Sequence, residues 1–168
     1  RKGKSDEKAS CFIRVAHGWA GKGWGAFYLP RIGQEVVVTF LDGDPDRPMI
    51  TGSVYNAEQT VPYALPGEMT KSTLMSRSTK KGDMGNEIRF EDKKDSEEFY
   101  VHATKDMNWL VENDWSREIL NDEIIDIKAN LKVLIQEGDE TYELKSGSRK
   151  AKIKTDDELK VDGKRLLV

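Results

Sequence analysis

One cysteine, two histidines and the absence of any long apolar run narrow the chemistry open to this chain. Cys11 alone excludes a disulfide within the chain and says nothing about the compartment; its ordinary reading is a small apolar strand residue. His17 and His102 stand far apart with no Cys or His at ligand spacing, which argues against a zinc site. No apolar stretch approaches the roughly 20 residues needed to span a bilayer. The opening RKGKSDEKAS has charge but no apolar signal-peptide core. It begins on Arg1 rather than Met, so we expect a fragment. A net charge of −3 in 168 residues leaves no basic excess, so nucleic acid is not the expected partner.

What the chain has is a short period. Turn-prone pairs recur at Asn113-Asp114, Asn121-Asp122, Ala129-Asn130 and Glu137-Gly138, then at Ser146-Gly147, Thr155-Asp156 and Asp162-Gly163. Between them lie pieces alternating apolar and polar: Ile125-Asp126-Ile127, Leu131-Lys132-Val133-Leu134-Ile135, Ala151-Lys152-Ile153 and Leu159-Lys160-Val161. A fixed short period with alternation inside each unit marks a strand-turn-strand solenoid. An amphipathic helix would need an uninterrupted i, i+3, i+4, i+7 pattern, and the recurring turn residues interrupt it.

Counting octads from Trp109, the third positions are Val111, Ile119, Ile127, Ile135, Glu143, Ala151, Leu159 and Leu167. Glu143 alone breaks the apolar row, and Leu144 stands beside it. The flanking positions are mostly charged. Such a row buries one narrow edge. Full burial of a Val, Ile or Leu is worth roughly 1.5–3 kcal/mol, while ordering each residue costs about 1–2 kcal/mol of backbone entropy. One or two buried residues per eight do not offset that cost in a single copy. We therefore expect a homotrimer, in which three sheets form a triangular prism around the apolar row. Val111, Ile119, Ile127, Ile135, Ala151, Leu159 and Leu167 are its expected core.

Ahead of the repeats, residues 1–9 read as a linker and 10–65 as a small β-barrel. Cys11 to Val15 alternates, Ile32 to Phe40 is β-branched, and Asp42-Gly43-Asp44-Pro45-Asp46-Arg47-Pro48 is a dense turn signal before the strand Met49–Tyr55. Residues 66–85 lack periodicity and hold Pro66, Gly67, Gly82 and Gly85, so they read as a connector. The solenoid is expected over 86–168, with Glu87–Asp92 and Glu98–His102 as its entry strands.

Long stretches also carry a resemblance. CFIRVAHGWAGKGWGAFYLPRIGQEVVVTFLDGDPDRPMITGSVYN at 11–56, TVPYALP at 60–66, KSTLMSRS at 71–78 and NEIRFEDKKDSEEFYVHATKDMNWLVEND at 86–114 closely resemble the VgrG spike family of the type VI secretion system. The likeness covers nearly the whole chain and is looser over the last 50 residues. It implies an all-β fold: an OB-type barrel followed by an intertwined homotrimeric β-prism needle, an architecture shared with phage central tail spikes. It implies a non-enzymatic puncturing spike, assembled in the bacterial cytoplasm and driven through a target envelope. A tube of ring proteins would sit at its base, through domains before Arg1, and a tip protein or effector at its far end. Passage through the target membrane is transient. The alternative within the resemblance is a phage or phage-derived baseplate needle.

Catalytic readings find little support. Gly18 to Gly25 is Gly-rich, but it has the wrong gap to Gly21-Lys22 for a phosphate loop and does not match GxGxxG. A turned barrel loop, with Trp19 and Trp24 packing on a neighbour, is the simpler reading. The acidic pairs Glu91-Asp92, Glu97-Glu98, Asp122-Glu123 and Asp156-Asp157 fall on turns or the wet face, whereas a glycosidase needs two carboxyls converging in a cleft. The 66–85 connector is too short to hold a lysozyme domain. Aromatics with Lys22 and Arg31 in a barrel admit single-stranded nucleic acid as a weaker reading. No cofactor or metal is expected.

Overall fold

In the computed structural model the described residues are 12–79 and 82–163. The chain divides between Val111 and Glu112 into two units. Apart from the 3-10 turn at Leu41–Gly43, the regular structure is strand.

Three strands come from the first 55 residues: β1 (Arg14–Val15), β2 (Glu35–Phe40) and β3 (Pro48–Val54). Their order is β1-β3-β2, with β1 parallel to β3 and β2 antiparallel to it. A bulge at Val37/Val38 shifts the β2–β3 register, and the Thr39 and Thr51 hydroxyls lie 3.3 Å apart across the pair. The turn signal between β2 and β3 forms as expected. Asp42 (φ 53°) and Gly43 (φ 72°) take left-handed backbone, which Gly and Asp tolerate best. Asp44 accepts from the Asp46 N–H at 2.9 Å, and Arg47 pairs with Asp42 at 2.6 Å.

The Gly-rich run is a small hairpin. Ala20 bridges Gly25, the Gly21 N–H donates to Trp24 O at 2.9 Å, and the Ala26 N–H donates to Trp19 O at 2.8 Å. Trp19 and Trp24 meet edge to face with centroids 5.4 Å apart. The two indoles therefore pack on each other within the loop.

A second antiparallel sheet has the order β4-β5-β6: β4 (Lys71–Met75), β5 (Glu87–Glu91) and β6 (Glu98–His102). The latter two match the expected entry strands. β4 falls inside residues 66–85, where the sequence shows no periodicity: its five residues pair in full register with β5, from Lys71↔Glu91 to Met75↔Glu87. A five-residue strand holds barely two periods of alternation, too few to stand out from a loop.

From 103 to 163 the described residues form no β-ladder within the chain. From 106 onward, extended pieces are separated by bends at 112–113, 120–121, 128–129, 136–138, 145–147, 154–155 and 162–163. Each bend falls within a residue or so of an expected turn pair. Strands were expected here; the single chain supplies the extended conformation and the corners, but no neighbouring strand to bond. Gly138 (φ 105°) and Gly147 (φ 94°) sit in the two three-residue bends, 136–138 and 145–147, where left-handed backbone favours glycine.

Candidate functional site

No hydrophobic residue is buried among the described residues; the one buried side chain is Glu87, 8% exposed. The chain exposes 17,707 Å². A folded monomer of 19.1 kDa exposes about 8,400 Å² and its unfolded chain about 27,700 Å². The single copy has thus removed only about a third of its surface from water, where a domain of this size removes roughly 70%. The missing burial is on the order of 9,000 Å².

The β4-β5-β6 sheet shows where part of it lies. Period-2 alternation sorts its side chains by face. One face carries Leu74, Ile88, Phe90, Phe99 and Val101, all left exposed. Phe90 and Phe99 pair across the strands with centroids 5.2 Å apart. Leu74, Ile88 and Val101 also line an open cleft of about 1150 Å³, with Val15, Phe27 and Ile50 from the earlier elements.

The opposite face is polar, and this is the face the chain covers for itself. Tyr63 lies on it and donates to Glu87, while Thr73 Oγ1 donates to the same Glu87 oxygen at 2.9 Å. Arg89 donates to Tyr63 Oη at 3.0 Å and to Glu98 at 2.6 Å, with its guanidinium 4.2 Å from the Tyr100 ring centroid. Lys71 pairs with Glu68 at 2.5 Å and sits over the Tyr63 ring. Burial pushes the Glu87 carboxyl up, but hydrogen bonds from Tyr63 and Thr73 and the Arg89 charge outweigh it and hold it below the usual carboxylate range. The hydrogen bond to Glu98, then that to Tyr63, raises Arg89 further. His102 stacks on Tyr100 and its Nδ1 lies 3.2 Å from Gly85 O, an ordinary strand residue as expected. His17 packs its ring against Phe27. Sequence alternation showed a charged face on these strands; it did not show that Tyr63, 24 residues upstream of Glu87, would close over it.

In the second unit the large apolar side chains fall into two groups. Ile119, Ile127, Ile135, Leu144, Ile153 and Val161 are 42–51% exposed, and each immediately precedes a bend. Every other large apolar residue among the described residues of that unit is 59–93% exposed. Val111, the last residue of the first unit, also precedes a bend, at 112–113. Of the residues expected in a trimer core, Val111, Ile119, Ile127 and Ile135 occupy this pre-bend position. Ala151 and Leu159 stand two residues ahead of it, beside Ile153 and Val161, and Leu167 lies outside the described residues. Leu144 occupies it where the octad count reaches Glu143. Among the described residues no group of three His, Cys, Asp or Glu is placed to hold a metal ion, and no helix is long and apolar enough to cross a membrane.

Comparison with known families accounts for an apolar surface left open in this way. A profile described as the bacteriophage T4 gp5 C-terminal trimerisation domain matches residues 72–167, more than half of the chain. The chain belongs to this trimerisation family. A second profile, the type VI secretion system/phage-baseplate injector OB domain, matches residues 2–55. The fold is therefore all-β, an OB-type domain followed by a trimerisation-type β-prism region. Among curated relatives, the chain is 58% identical over 121 residues to the type VI secretion system spike protein VgrG1a of Pseudomonas aeruginosa, covering 71% of this chain and 19% of the relative. It is 59% identical over 116 residues to VgrG1b of the same species, covering 68% and 16%. It is 47% identical over 123 residues to VgrG3 of Vibrio cholerae, covering 73% and 12%. The chain thus spans less than a fifth of the length of these relatives. The matched segments lie within spike proteins, as the sequence resemblance implied.

Proposed function

We propose that this chain is the shaft segment of a cell-puncturing spike in a type VI secretion apparatus, acting as a homotrimer and doing mechanical rather than catalytic work. The observation that carries the proposal is the absence of any buried hydrophobic residue among the described residues of a chain that belongs to a trimerisation family. A missing burial on the order of 9,000 Å² per chain exceeds a standard protein interface several-fold and falls in the range of obligate assemblies. Three copies supply strand neighbours for the extended pieces after His102 and leave no free sheet edge. Continuous hydrogen bonding around an apolar axis provides the stiffness that penetration of an envelope demands. The domain limits in this reading are a barrel over 10–65 and a shaft that includes β4, so that the connector shrinks to 66–70. Partners are a tube of ring proteins at the base and a tip protein or effector at the far end, both through segments outside 1–168; no nucleic acid is involved. Assembly occurs in the cytoplasm and the spike is translocated into the target cell, crossing its membrane only transiently.

The test is a chimera. This chain replaces the matching segment of Pseudomonas aeruginosa VgrG1a, and secretion of the tube protein is measured in a strain lacking its own spikes. The expected result is restored secretion with the native segment, and light scattering that gives the isolated 168-residue chain three times its 19.1 kDa mass. A folded monomer, or a correctly trimeric chimera that supports no secretion, overturns the proposal.

A further inference from the structure

We infer that the axial contact between three copies of this chain follows the bends rather than a strict count of eight. Its column is Val111, Ile119, Ile127, Ile135, Leu144, Ile153 and Val161. This deepens the trimeric reading above and rests on it. The steps along the column are eight, eight, eight, nine, nine and eight residues. Both nine-residue steps span a bend of three residues, 136–138 and 145–147, where the other bends have two. The additional residue is taken up in the corner, with Gly138 and Gly147 in left-handed backbone, so the strand leaving the corner keeps the same face inward.

Two further observations support this register. All seven residues of the column are Val, Ile or Leu, so the polar break at Glu143 disappears. The column two residues ahead runs Trp109, Arg117, Ile125, Val133, Tyr142, Ala151 and Leu159. It lies on the same strand side but is more open. It also carries Arg117, whose guanidinium pairs with Glu123 at 2.7 Å and keeps more than half of its side chain exposed. A charged side chain with its own ion partner and access to water marks a wet column. Ala151 and Leu159 belong to that outer column, and Ile153 and Val161 to the axis. The occupant of the pre-bend face is thus a second and third copy of the same column, meeting around a three-fold axis.

Cysteine substitution tests the register locally. On a Cys11→Ser background, single cysteines at 151, 153, 159 and 161 of the 168-residue chain are exposed to mild oxidant and run under denaturing conditions. A disulfide needs Cβ atoms about 3.5–4.5 Å apart, which equivalent residues of three chains reach only close to the axis. Ile153→Cys and Val161→Cys should give covalent dimers, two of three cysteines joining, in at least tenfold higher yield than Ala151→Cys and Leu159→Cys. The reverse yield overturns the register, as does equal yield at all four positions. Native mass of each reduced variant is measured alongside. If the unsubstituted chain is monomeric, the trimeric reading itself has failed; if all variants are trimers and the yields are reversed, only the register has.

Discussion

Replacing Ile127 with Asp places the heaviest demand on the assembly argument. Ile127 precedes the bend at 128–129 and is 42% exposed in one copy, so less than half of its burial is left for sister chains. At roughly 1.5–3 kcal/mol for full burial, losing that share removes about 2–4 kcal/mol per trimer. The charge adds more. Three carboxylates about 6 Å apart around an axis repel by about 3 kcal/mol per pair at an effective dielectric of 20. The penalty near neutral pH is then on the order of 10 kcal/mol per trimer. Repulsion and desolvation both raise the carboxyl pKa. A group whose folded-state pKa is raised in this way costs stability only where it must ionise. The Asp variant is therefore most stable in acid and loses stability as pH rises through the raised value. Ile127→Asn carries the lost apolar contact without the charge and should be weakened equally at all pH values. The assay is denaturant unfolding by circular dichroism with parallel light scattering, at pH 4.5 and pH 8. An Asp variant that keeps the wild-type midpoint and trimer mass at pH 8 refutes the inward placement of Ile127. Equal behaviour of the Asp variant at the two pH values refutes the electrostatic part of the reasoning.

Three other outcomes follow from the geometry. Gly25→Ala should loosen the loop hairpin, at a cost of about 1–3 kcal/mol, because Gly25 has φ 131° and an added Cβ would stand 2.5 Å from Trp19 O; loss of the Trp19–Trp24 near-ultraviolet signal checks it, and Gly18→Ala, with open space around its Cβ and no left-handed backbone, should leave that signal in place. Acidification should destabilise the wild type, because Glu87 is held below the usual carboxylate range: its contribution is present above about pH 4.3 and is lost as pH falls through the lowered value. Glu87→Gln should flatten the acid limb of the stability–pH curve, and an unchanged slope would remove Glu87 from the account. The assembled trimer should resist sodium dodecyl sulfate at room temperature, since interwound chains separate only by unfolding together; a monomer band without boiling contradicts that interwinding.

Much of this arrangement was legible in the sequence, because turn residues and apolar alternation are local signals. Asn113-Asp114 through Asp162-Gly163 mark the corners within about a residue of where they form, and 42–48 turns as its composition dictates. What escaped was non-local or depended on counting. β4 reads as a loop because Lys71–Met75 is short and gains strand character only from pairing with β5. The parallel contact of Arg14 with Met49 joins segments 35 residues apart and leaves no trace in either one. A rigid count of eight keeps to the pre-bend positions as far as Ile135 and then falls out of step with the bends, because the corners at 136–138 and 145–147 hold three residues. Glu143 marks the place: the count reaches a carboxylate there, while Leu144 holds the position before the bend. The polar face over Glu87 was missed for the same non-local reason, since Tyr63 lies outside the strands it covers.

The open apolar face of the β4-β5-β6 sheet has a consequence for how the protein is made. In the trimeric reading, a chain that leaves Phe90 and Phe99 about half exposed or more within itself should complete its fold only together with its siblings. Its yield should then depend steeply on how many siblings emerge from ribosomes nearby. Dosage becomes a structural variable: halving expression should reduce the finished product by more than half, and co-produced fragments of the same segment should poison it.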